Sequence, residues 1–590
     1  MKGAWEVLGY AGRTLRLVAG SSPRLLSLQV LFTGCAALLP LGVAYVGKHI
    51  IDAVVAHDRG QALRWVLVEL GLVLALTGTQ RALGLIRQLL SARMGADINL
   101  SILEKALGLE LSFFENAEFY DKLTRARREA SSRPLALVSD CFLLAQNAVT
   151  LVGYSAFLTG FGAWVLPLLF AATIPATVAE MHYSKQQFRV RNWRSPDTRR
   201  LLYLEHVLAN DEHAKEVKLF GIGPLLLERY RTLAFTFYRE DKRLALRRAA
   251  ITHTLSIVGV GAFYATYLSM ALAAVSGAVS VGALTLYVVS LRQGQQVFQS
   301  LLSGIGNVYE HNLYMSNLFA FLGLPAARQA KALAPLPASR GAIRFEDVGF
   351  RYPGASEWAL RHIDLEIAPG QAVALVGENG AGKTTFVKLL TGLYAPSEGR
   401  IFIDGRDLSE YPEDELRKRF AVIFQDFNQY QFRVRENVGL GSVEHLEDAP
   451  RIERAVERGG AKELVASLPS GLEQPLGHWF EKGSELSGGQ WQKLALARAF
   501  MREEANILIL DEPTAALDAN AEHAVFQHFR ELSRGRTSII ISHRFPTVRM
   551  ADRILVIEHG QIVESGSHDA LIGAQGRYAR WFDLQAAGYR

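Results

Sequence analysis

The chain contains Gly377-Glu378-Asn379-Gly380-Ala381-Gly382-Lys383-Thr384, followed by Thr385. This stretch lies between an apolar run, residues 372–376, and a segment with helical apolar spacing, residues 386–393. A glycine-rich turn between a strand and a helix directs backbone N–H groups at phosphate oxygens, while its lysine reaches the β- and γ-phosphates and its hydroxyl binds Mg²⁺. All nine residues are therefore predicted to bind a nucleotide. A chance glycine-rich turn is the alternative, but the flanking strand and helix patterns favour the nucleotide site.

The composition divides the chain into an apolar first half and a mixed second half. Its 590 residues are enough for about two to four domains. Only 21% of them are charged, against 49% apolar, which is a low charge content for a soluble protein. Cys35 and Cys141 lie in apolar runs, so no disulfide framework is predicted. No cleavable signal peptide is evident, because Glu6, Arg13 and Arg16 interrupt the apolar residues of the N-terminus.

Six apolar segments of the first half are long enough to cross a membrane, since about twenty apolar residues span the roughly 30 Å hydrocarbon layer. The predicted spans are residues 25–55, 63–90, 135–159, 163–183, 257–274 and 281–302. Residues 1–24 are predicted to form an amphipathic helix at the membrane surface, with a frayed terminus as the alternative. Basic residues crowd the segments beside the spans, above all residues 185–248, which predicts that these segments are cytoplasmic. The net charge of +6 therefore needs no nucleic-acid partner, and six spans leave both termini in the cytoplasm.

The composition also predicts the domain boundaries. Residues 25–322 are expected to form an all-α transmembrane domain, and the Pro- and Ala-rich residues 323–340 a linker. Residues 341–590 alternate strands, helices and glycine turns, as expected of a soluble α/β P-loop NTPase domain.

A second motif narrows the class of nucleotide site. Leu486-Ser487-Gly488-Gly489-Gln490 precedes the apolar run and acidic pair Ile507-Leu508-Ile509-Leu510-Asp511-Glu512. This order of motifs resembles the ATP-binding cassette (ABC) transporter family, in which LSGGQ is the signature motif. The resemblance implies an exporter-type half-transporter: a six-helix transmembrane domain with the ABC exporter fold, fused ahead of one ATP-binding cassette.

The resemblance also implies roles for single residues around ATP and Mg²⁺. Tyr352 corresponds to the aromatic residue that stacks on adenine, and Gln425 to the glutamine that reaches Mg²⁺ or the attacking water. Asp511 is expected to bind Mg²⁺, and Glu512 to polarise or deprotonate the water that attacks the γ-phosphate. Asp518 and His543 correspond to the D-loop aspartate and to the switch histidine, which contacts the γ-phosphate.

The family resemblance further implies that the functional unit is a dimer. The signature residues Ser487, Gly488, Gly489 and Gln490 are expected to complete the nucleotide site of the opposite subunit. Because the chain keeps both Glu512 and the signature, a homodimer with two competent sites suffices. The chain departs from the family at two places: Phe480-Glu481 stands where Gly-Glu is common, and Trp491 where a basic residue is frequent.

Two cytoplasmic segments resemble the coupling helices of the exporter family. The first is Phe113-Phe114-Glu115-Asn116-Ala117-Glu118-Phe119-Tyr120-Asp121, where a simple turn between long helices is the alternative without the family. The second is residues 210–221, which in exporters reach the nucleotide domain of the partner chain.

Two stretches of the sequence bear on the substrate. Residues 214–230 and 424–437 resemble transporters of bacterial antimicrobial peptides, which suggests export of a peptide across the cytoplasmic membrane. A multidrug or lipid exporter or flippase, and a siderophore importer with exporter architecture, remain as alternatives. A soluble mechanical ATPase of the DNA-repair kind is disfavoured, because it needs a long coiled coil where this chain has bilayer-length apolar segments. Membrane lipid is an expected partner of the spans. Six polar residues within the spans are candidates for substrate contacts or for hydrogen bonds between helices: Asp140, Gln146, Asn147, Glu180, Arg292 and Gln296.

Overall fold

The structure is a computed structural model that describes residues 2–115, 123, 133–325, 340–512, 533, 535–542 and 544–588. Most of the predicted linker, part of the first predicted coupling segment, and the predicted site residues Asp518 and His543 lie outside these ranges. The chain forms two compact units, one of Met1–Gly108 and Glu118–Pro325, the other of Leu109–Ala117 and Ala326–Arg590.

The first unit is helical throughout its described residues. Its helices are α1 (Lys2–Ser21), α2 (Pro23–Val55), α3 (Arg59–Leu107), α5 (Arg133–Thr159), α6 (Val165–Trp193), α7 (Ser195–Ala209), α8 (Asp211–Leu219), α9 (Gly223–Val275) and α10 (Val281–Leu322), with the short α4 (Leu111–Phe114) belonging to the second unit. The main packing pairs are α2 with α3, α5 with α10 and α6 with α9. Gly153 of α5 allows α2 to approach closely, since a Cβ there would lie 2.1 Å from a methyl group of Leu41.

Each long helix buries one narrow stripe and exposes apolar side chains elsewhere. In α3 the buried residues recur every three or four positions: Thr79, Leu83, Ile86, Leu90, Met94, Ile98 and Ile102. Other leucines of the same helix are exposed, among them Leu67 at 59% and Leu74 at 64%. An apolar surface of this kind is typical of helices surrounded by lipid.

Among the described residues, five helices are long and apolar enough to cross a membrane, namely α2, α3, α5, α9 and the Val165–Tyr183 part of α6. The sixth predicted span lies in α10, which is a helix but is not among these five. Arg292 and the three glutamines that closely follow it lower the mean hydropathy of that segment. The prediction of a helix there is confirmed, whereas its apolar character is weaker than expected.

Two of the polar groups predicted within the spans form polar contacts between helices. Glu180 of α6 pairs with Arg248 of α9. Asp140 of α5 lies 3.4 Å from the Nε2 atom of His311 in α10. For these two carboxylates the structure supports the helix–helix alternative over contact with substrate.

The part of the second unit that the structure describes contains two sheets. The antiparallel sheet has the order β2-β1-β4-β5, and the other sheet has the order β10-β9-β3-β8-β7-β6, parallel except for β10. The strands are β1 (Ile343–Phe350), β2 (Leu360–Ile367), β3 (Ala372–Val376), β4 (Glu398–Ile403), β5 (Arg406–Asp407), β6 (Phe420–Ile423), β7 (Ile507–Asp511), β8 (Thr537–Ile541), β9 (Arg553–Glu558) and β10 (Gln561–Gly566). The helices are α11 (Lys383–Leu390), α12 (Glu413–Lys418), α13 (Val434–Gly439), α14 (Ala449–Arg458), α15 (Lys462–Ser467), α16 (Gly488–Phe500), α17 (Phe545–Val548), α18 (His568–Gly573) and α19 (Arg577–Gly588).

The parallel sheet is buried on both faces, which explains its uninterrupted apolar strands. One core cluster joins both sheets to α11, with the rings of Phe345 and Phe386 stacked at 4.5 Å. A second cluster packs α13 to α16 against β6 and β7. Trp491 lies in this second cluster and is only 4% exposed, so the residue after the signature motif serves the core here.

A buried ion pair ties the antiparallel sheet to the strand β6. The Arg419 Nη1 atom lies 2.6 Å from Asp404 Oδ2, and the two side chains are 8% and 5% exposed. Asp404 also accepts hydrogen bonds from the backbone N–H groups of Arg340 and Ala342. Removal of one partner from a buried pair commonly costs about 3–5 kcal/mol, because the other charge stays buried.

We therefore expect Asp404→Asn to lower the unfolding temperature of the ATP-binding unit by roughly 6 °C or more, as measured by scanning fluorimetry of the purified chain. Asparagine keeps the size of the side chain and tolerates the positive φ of 51° at this position. The matched control is Glu457→Gln, which breaks an exposed pair with Lys462 and should shift the transition by less than about 4 °C. Equal shifts in the two variants would contradict the stabilising role of the buried pair.

Candidate nucleotide site

The candidate site lies at the carboxyl edge of the parallel sheet, where the strands β3, β8, β7 and β6 end together. The register aligns Leu375 with Ile541, Ile541 with Asp511, and Leu510 with Ile423. The glycine-rich loop follows β3, Ser542 follows β8, Glu512 follows β7, and Gln425 comes two residues after β6. Carboxyl edges of parallel sheets are where such folds bind ligands.

The glycines of the loop are required by its backbone and by close packing. Gly382 has a φ of +107°, and a Cβ there would lie 2.6 Å from a Leu360 methyl group and 2.7 Å from the Ala359 carbonyl oxygen. At Gly377 a Cβ would lie 2.3 Å from the carbonyl oxygen of Ile557. Gly380 has a φ of +83° but has open space around it. The loop therefore folds back tightly before α11 begins at Lys383.

Lys383 is buried, and its ammonium group lies over the loop. Its Nζ atom donates hydrogen bonds to the carbonyl oxygens of Gly377 at 2.8 Å and Glu378 at 3.0 Å. Burial lowers the pKa of Lys383, while the nearby charges of Glu512 and Asp511 act in the opposite direction. A lysine held in this way presents a positive charge that phosphate oxygens can share.

Thr384 and Asp511 form a pair of oxygen ligands suited to a divalent cation. The Thr384 hydroxyl donates to Asp511 Oδ2 at 3.2 Å, and Asp511 is only 1% exposed. Burial raises the pKa of Asp511 to about 6, helped by the charge of Glu512 and opposed by the hydrogen bond from Thr384. Carboxylate and hydroxyl oxygens are ligands that Mg²⁺ prefers, so the residues present fit this ion.

Gln425 and Glu512 are also in direct contact. The Gln425 Nε2 atom donates to Glu512 Oε2 at 2.9 Å, although 87 residues separate them. Glu512 has a φ of +47°, and its backbone N–H donates to the carbonyl oxygen of Ile541. A glutamate in this left-handed conformation is strained, and such strain is common where a side chain must point at a reacting group.

Tyr352 lies beside the loop in an aromatic cluster. Its hydroxyl is 3.0 Å from the Thr385 hydroxyl, and its ring meets those of Phe350 and Tyr394 edge to face at 5.0 and 5.5 Å. The structure thus places Tyr352 and Thr385 together. Stacking of Tyr352 on adenine stays a prediction.

The signature residues form the start of helix α16. Ser487 caps the helix: its side chain accepts a hydrogen bond from the Gln490 N–H, and the Gln490 side chain accepts one from the Ser487 N–H at 2.8 Å. Gly488 and Gly489 are the first two helical residues. Among the hydrogen bonds of the described residues, none joins this helix start to the glycine-rich loop of the same chain.

The sequence did not single out two cassette residues that line the aromatic cluster. Lys388 and Tyr394 both contact Glu115, which is distant in sequence but belongs to the same compact unit. The only signal was the aromatic and acidic character of the segment around Glu115, which predicted docking but no partner.

Substitution of Gly382 tests the loop geometry. We expect Gly382→Ala to weaken ATP binding by at least about tenfold, because its Cβ combines left-handed strain with a collision. The matched control is Gly405→Ala, which has a φ of +81° but open space and should bind ATP like the wild type. Binding of a fluorescent ATP analogue to the purified chain measures both, and equal affinities would contradict the steric argument.

Comparison with known proteins agrees with this geometry. The sequence model of the ABC transporter family matches residues 360–515. The subtilin transport ATP-binding protein SpaT of Bacillus subtilis is 31% identical over 572 residues, which cover 95% of this chain and 91% of that protein. The nisin transport ATP-binding protein NisT of Lactococcus lactis subsp. lactis is 28% identical over 565 residues, covering 95% and 93%.

Two further matches extend over nearly the whole chain. An ATP-dependent lipid A-core flippase of Xanthomonas campestris pv. campestris (strain 8004) is 30% identical over 586 residues, covering 97% of this chain and 96% of that protein. The structure of a bacterial Atm1-family ABC exporter with ATP bound superposes with a TM-score of 0.75 at 25% identity, covering 97% and 98%. The expected exporter fold and membrane character are thereby confirmed. The chain belongs to the ABC transporter family, as an exporter-type half-transporter in which a helical membrane region precedes one ATP-binding cassette.

Proposed function

We propose that this protein is an ATP-driven exporter of a peptide that works as a homodimer by alternating access. The observation that carries the ATPase part is the meeting of five side chains at one sheet edge: Lys383, Thr384, Asp511, Gln425 and Glu512. Family membership implies ATP hydrolysis coupled to transport, and these contacts supply the residues for it.

The chemistry we propose is positioning and charge neutralisation, which is what phosphoryl transfer requires. Lys383 and the loop N–H groups would bind the β- and γ-phosphates, and Thr384 and Asp511 would hold Mg²⁺, with Gln425 as the further ligand that the family resemblance implies. When bound, Mg²⁺ neutralises charge on the β- and γ-phosphate oxygens. Glu512, oriented by its hydrogen bond from Gln425, polarises the attacking water.

The rest of the site is proposed to come from a second copy of the chain. Ser487, Gly488 and Gly489 begin a capped helix whose N–H groups suit a γ-phosphate. Their lack of hydrogen bonds to the loop of their own chain, within the described residues, supports a role in the opposite site. Asp518 and His543 retain their proposed family roles at the dimer interface and the γ-phosphate.

We propose that residues 25–322 form the membrane domain and residues 341–590 the cassette, joined by the linker 323–340. In a bacterial cell the chain would lie in the cytoplasmic membrane, with an interfacial helix at residues 1–24, and with the cassette and both termini in the cytoplasm. The basic character of residues 185–248 supports this orientation. The segments near residues 113–121 and 210–221 would transmit closure of the cassettes to the helix bundle.

Peptide is the substrate class that the relatives support best. The names of the relatives at 31% and 28% identity refer to transport of subtilin and nisin. A lipid is the second candidate, because a flippase is 30% identical over an even larger share of this chain. None of the relatives named above has a name that refers to import.

The role of Glu512 predicts a specific defect. Glu512→Gln should lower the rate of ATP hydrolysis by at least about a hundredfold, because an amide cannot polarise the water, yet it should leave ATP bound. The glutamine oxygen can still accept the bond from Gln425, so the loop should stay in place. Phosphate release in lipid nanodiscs measures the rate, with Glu463→Gln on the exposed surface of α15 as the control. Hydrolysis near the normal rate in the Glu512 variant would show that another group activates water.

The peptide assignment predicts substrate-dependent turnover. An antimicrobial peptide should stimulate ATP hydrolysis in nanodiscs and should accumulate in inverted vesicles when ATP is present. The Glu512→Gln variant in the same vesicles is the control for leakage and surface binding. Stimulation by lipid A or phospholipid alone, without any effect of peptides, would assign the protein to the lipid class instead.

A further inference from the structure

A short segment from outside the cassette sequence packs into the cassette. Leu109 is only 7% exposed, and Leu111, the first residue of α4, packs against the core cluster that joins the two sheets and α11. The segment Leu109–Ala117 belongs to the same compact unit as the cassette. Its apolar residues fix its position, so the polar residue that follows α4, Glu115, is held at the cassette surface.

Glu115 uses both carboxylate oxygens to contact the cassette. The Lys388 Nζ atom donates to Oε1 at 2.8 Å, and the Tyr394 hydroxyl donates to Oε2. Tyr394 as a residue is only 7% exposed and the Lys388 side chain 21%, whereas the Glu115 side chain is 40% exposed, so the carboxylate lies at the edge of the cassette surface. Burial alone would raise the pKa of Glu115, but the hydrogen bonds from Lys388 and Tyr394 and the lysine charge outweigh it and lower the pKa. The carboxylate is therefore ionised at neutral pH.

Lys388 and Tyr394 in turn contact the ring of Tyr352. The Lys388 Nζ atom lies 5.5 Å from the centre of the Tyr352 ring and 5.7 Å from that of Tyr394, within the range of cation–π attraction. The two rings meet edge to face at 5.5 Å. The Tyr352 hydroxyl lies 3.0 Å from that of Thr385, the neighbour of Thr384 in the first turn of α11. A continuous series of side-chain contacts therefore links Glu115 to Thr385, in the helix turn that is proposed to bind the phosphates.

We propose that Glu115 is a positioning residue for the nucleotide site: by holding Lys388 and Tyr394, it fixes the Tyr352 ring and the Thr385 hydroxyl where ATP binds. This inference rests on the proposed ATPase function. Glu115, which precedes the cassette by more than two hundred residues in the sequence, therefore contributes to the affinity for ATP. The Gln425 side chain instead bonds to Glu512, so we expect Glu115 to act on the affinity for ATP more than on the water-activating end of the site.

This arrangement predicts a split between KM and kcat. In the full-length protein in nanodiscs, Glu115→Gln should raise the KM for ATP by roughly 3- to 30-fold, the range for loss of directly coupled contacts, while kcat changes by less than about twofold. Tyr394→Phe removes a single hydroxyl and should raise KM in the same direction. Glu110→Gln is the matched control, because it is an exposed glutamate of the same segment whose described hydrogen bond is to Ser112.

A double-mutant cycle separates positioning from simple docking. If Glu115 acts through Lys388, then Lys388→Met and Glu115→Gln each raise KM, and the double variant resembles the more severe single variant. An unchanged KM in Glu115→Gln, a fall in kcat alone, or additive effects in the double variant would overturn the inference. The wild type and Glu512→Gln are assayed in parallel. An inactive wild type, or an active Glu512 variant, would refute the proposed function instead.

Discussion

The common edge at which the parallel cassette strands end is the constraint on which the candidate site depends. Strands β7 and β8 are buried along their whole length, so their side chains fit only one register. A shift by one residue would turn each side chain to the opposite face of the sheet and would move Asp511 away from Thr384. Because the register aligns Asp511 with Ile541 and Ile541 with Leu375, loops from three distant parts of the sequence meet within hydrogen-bonding distance.

The apolar core makes costly local features tolerable at that edge. Glu512 adopts a left-handed backbone, Gly382 has no room for a side chain, and Asp511 is a buried carboxyl whose pKa is raised to about 6. None of these features is favourable by itself. They persist because the buried strands and α11 fix the backbone on either side of them.

The helical unit follows a different balance of forces. Its helices bury narrow stripes and leave leucines exposed, which suits lipid, where packing and polar bonds between helices replace the hydrophobic effect. The pairs Glu180 with Arg248 and Asp140 with His311 fit this pattern, because an unpaired charge within such a bundle is costly. The segment around α4 belongs to the cassette unit instead, and its Leu111 packs against the cassette core.

The sequence by itself determined the order of elements, the helices of the membrane region, the family, and the identities of the loop, acid and glutamine residues that meet at the sheet edge. These features depend on local spacing and composition, which a single chain displays directly. Only the tertiary structure decided that Glu115 reaches Lys388 and Tyr394, that Trp491 is a core residue, and that Glu180 pairs with Arg248. Such contacts join residues far apart in the chain, and no periodicity or motif records which distant side chain a folded backbone brings alongside.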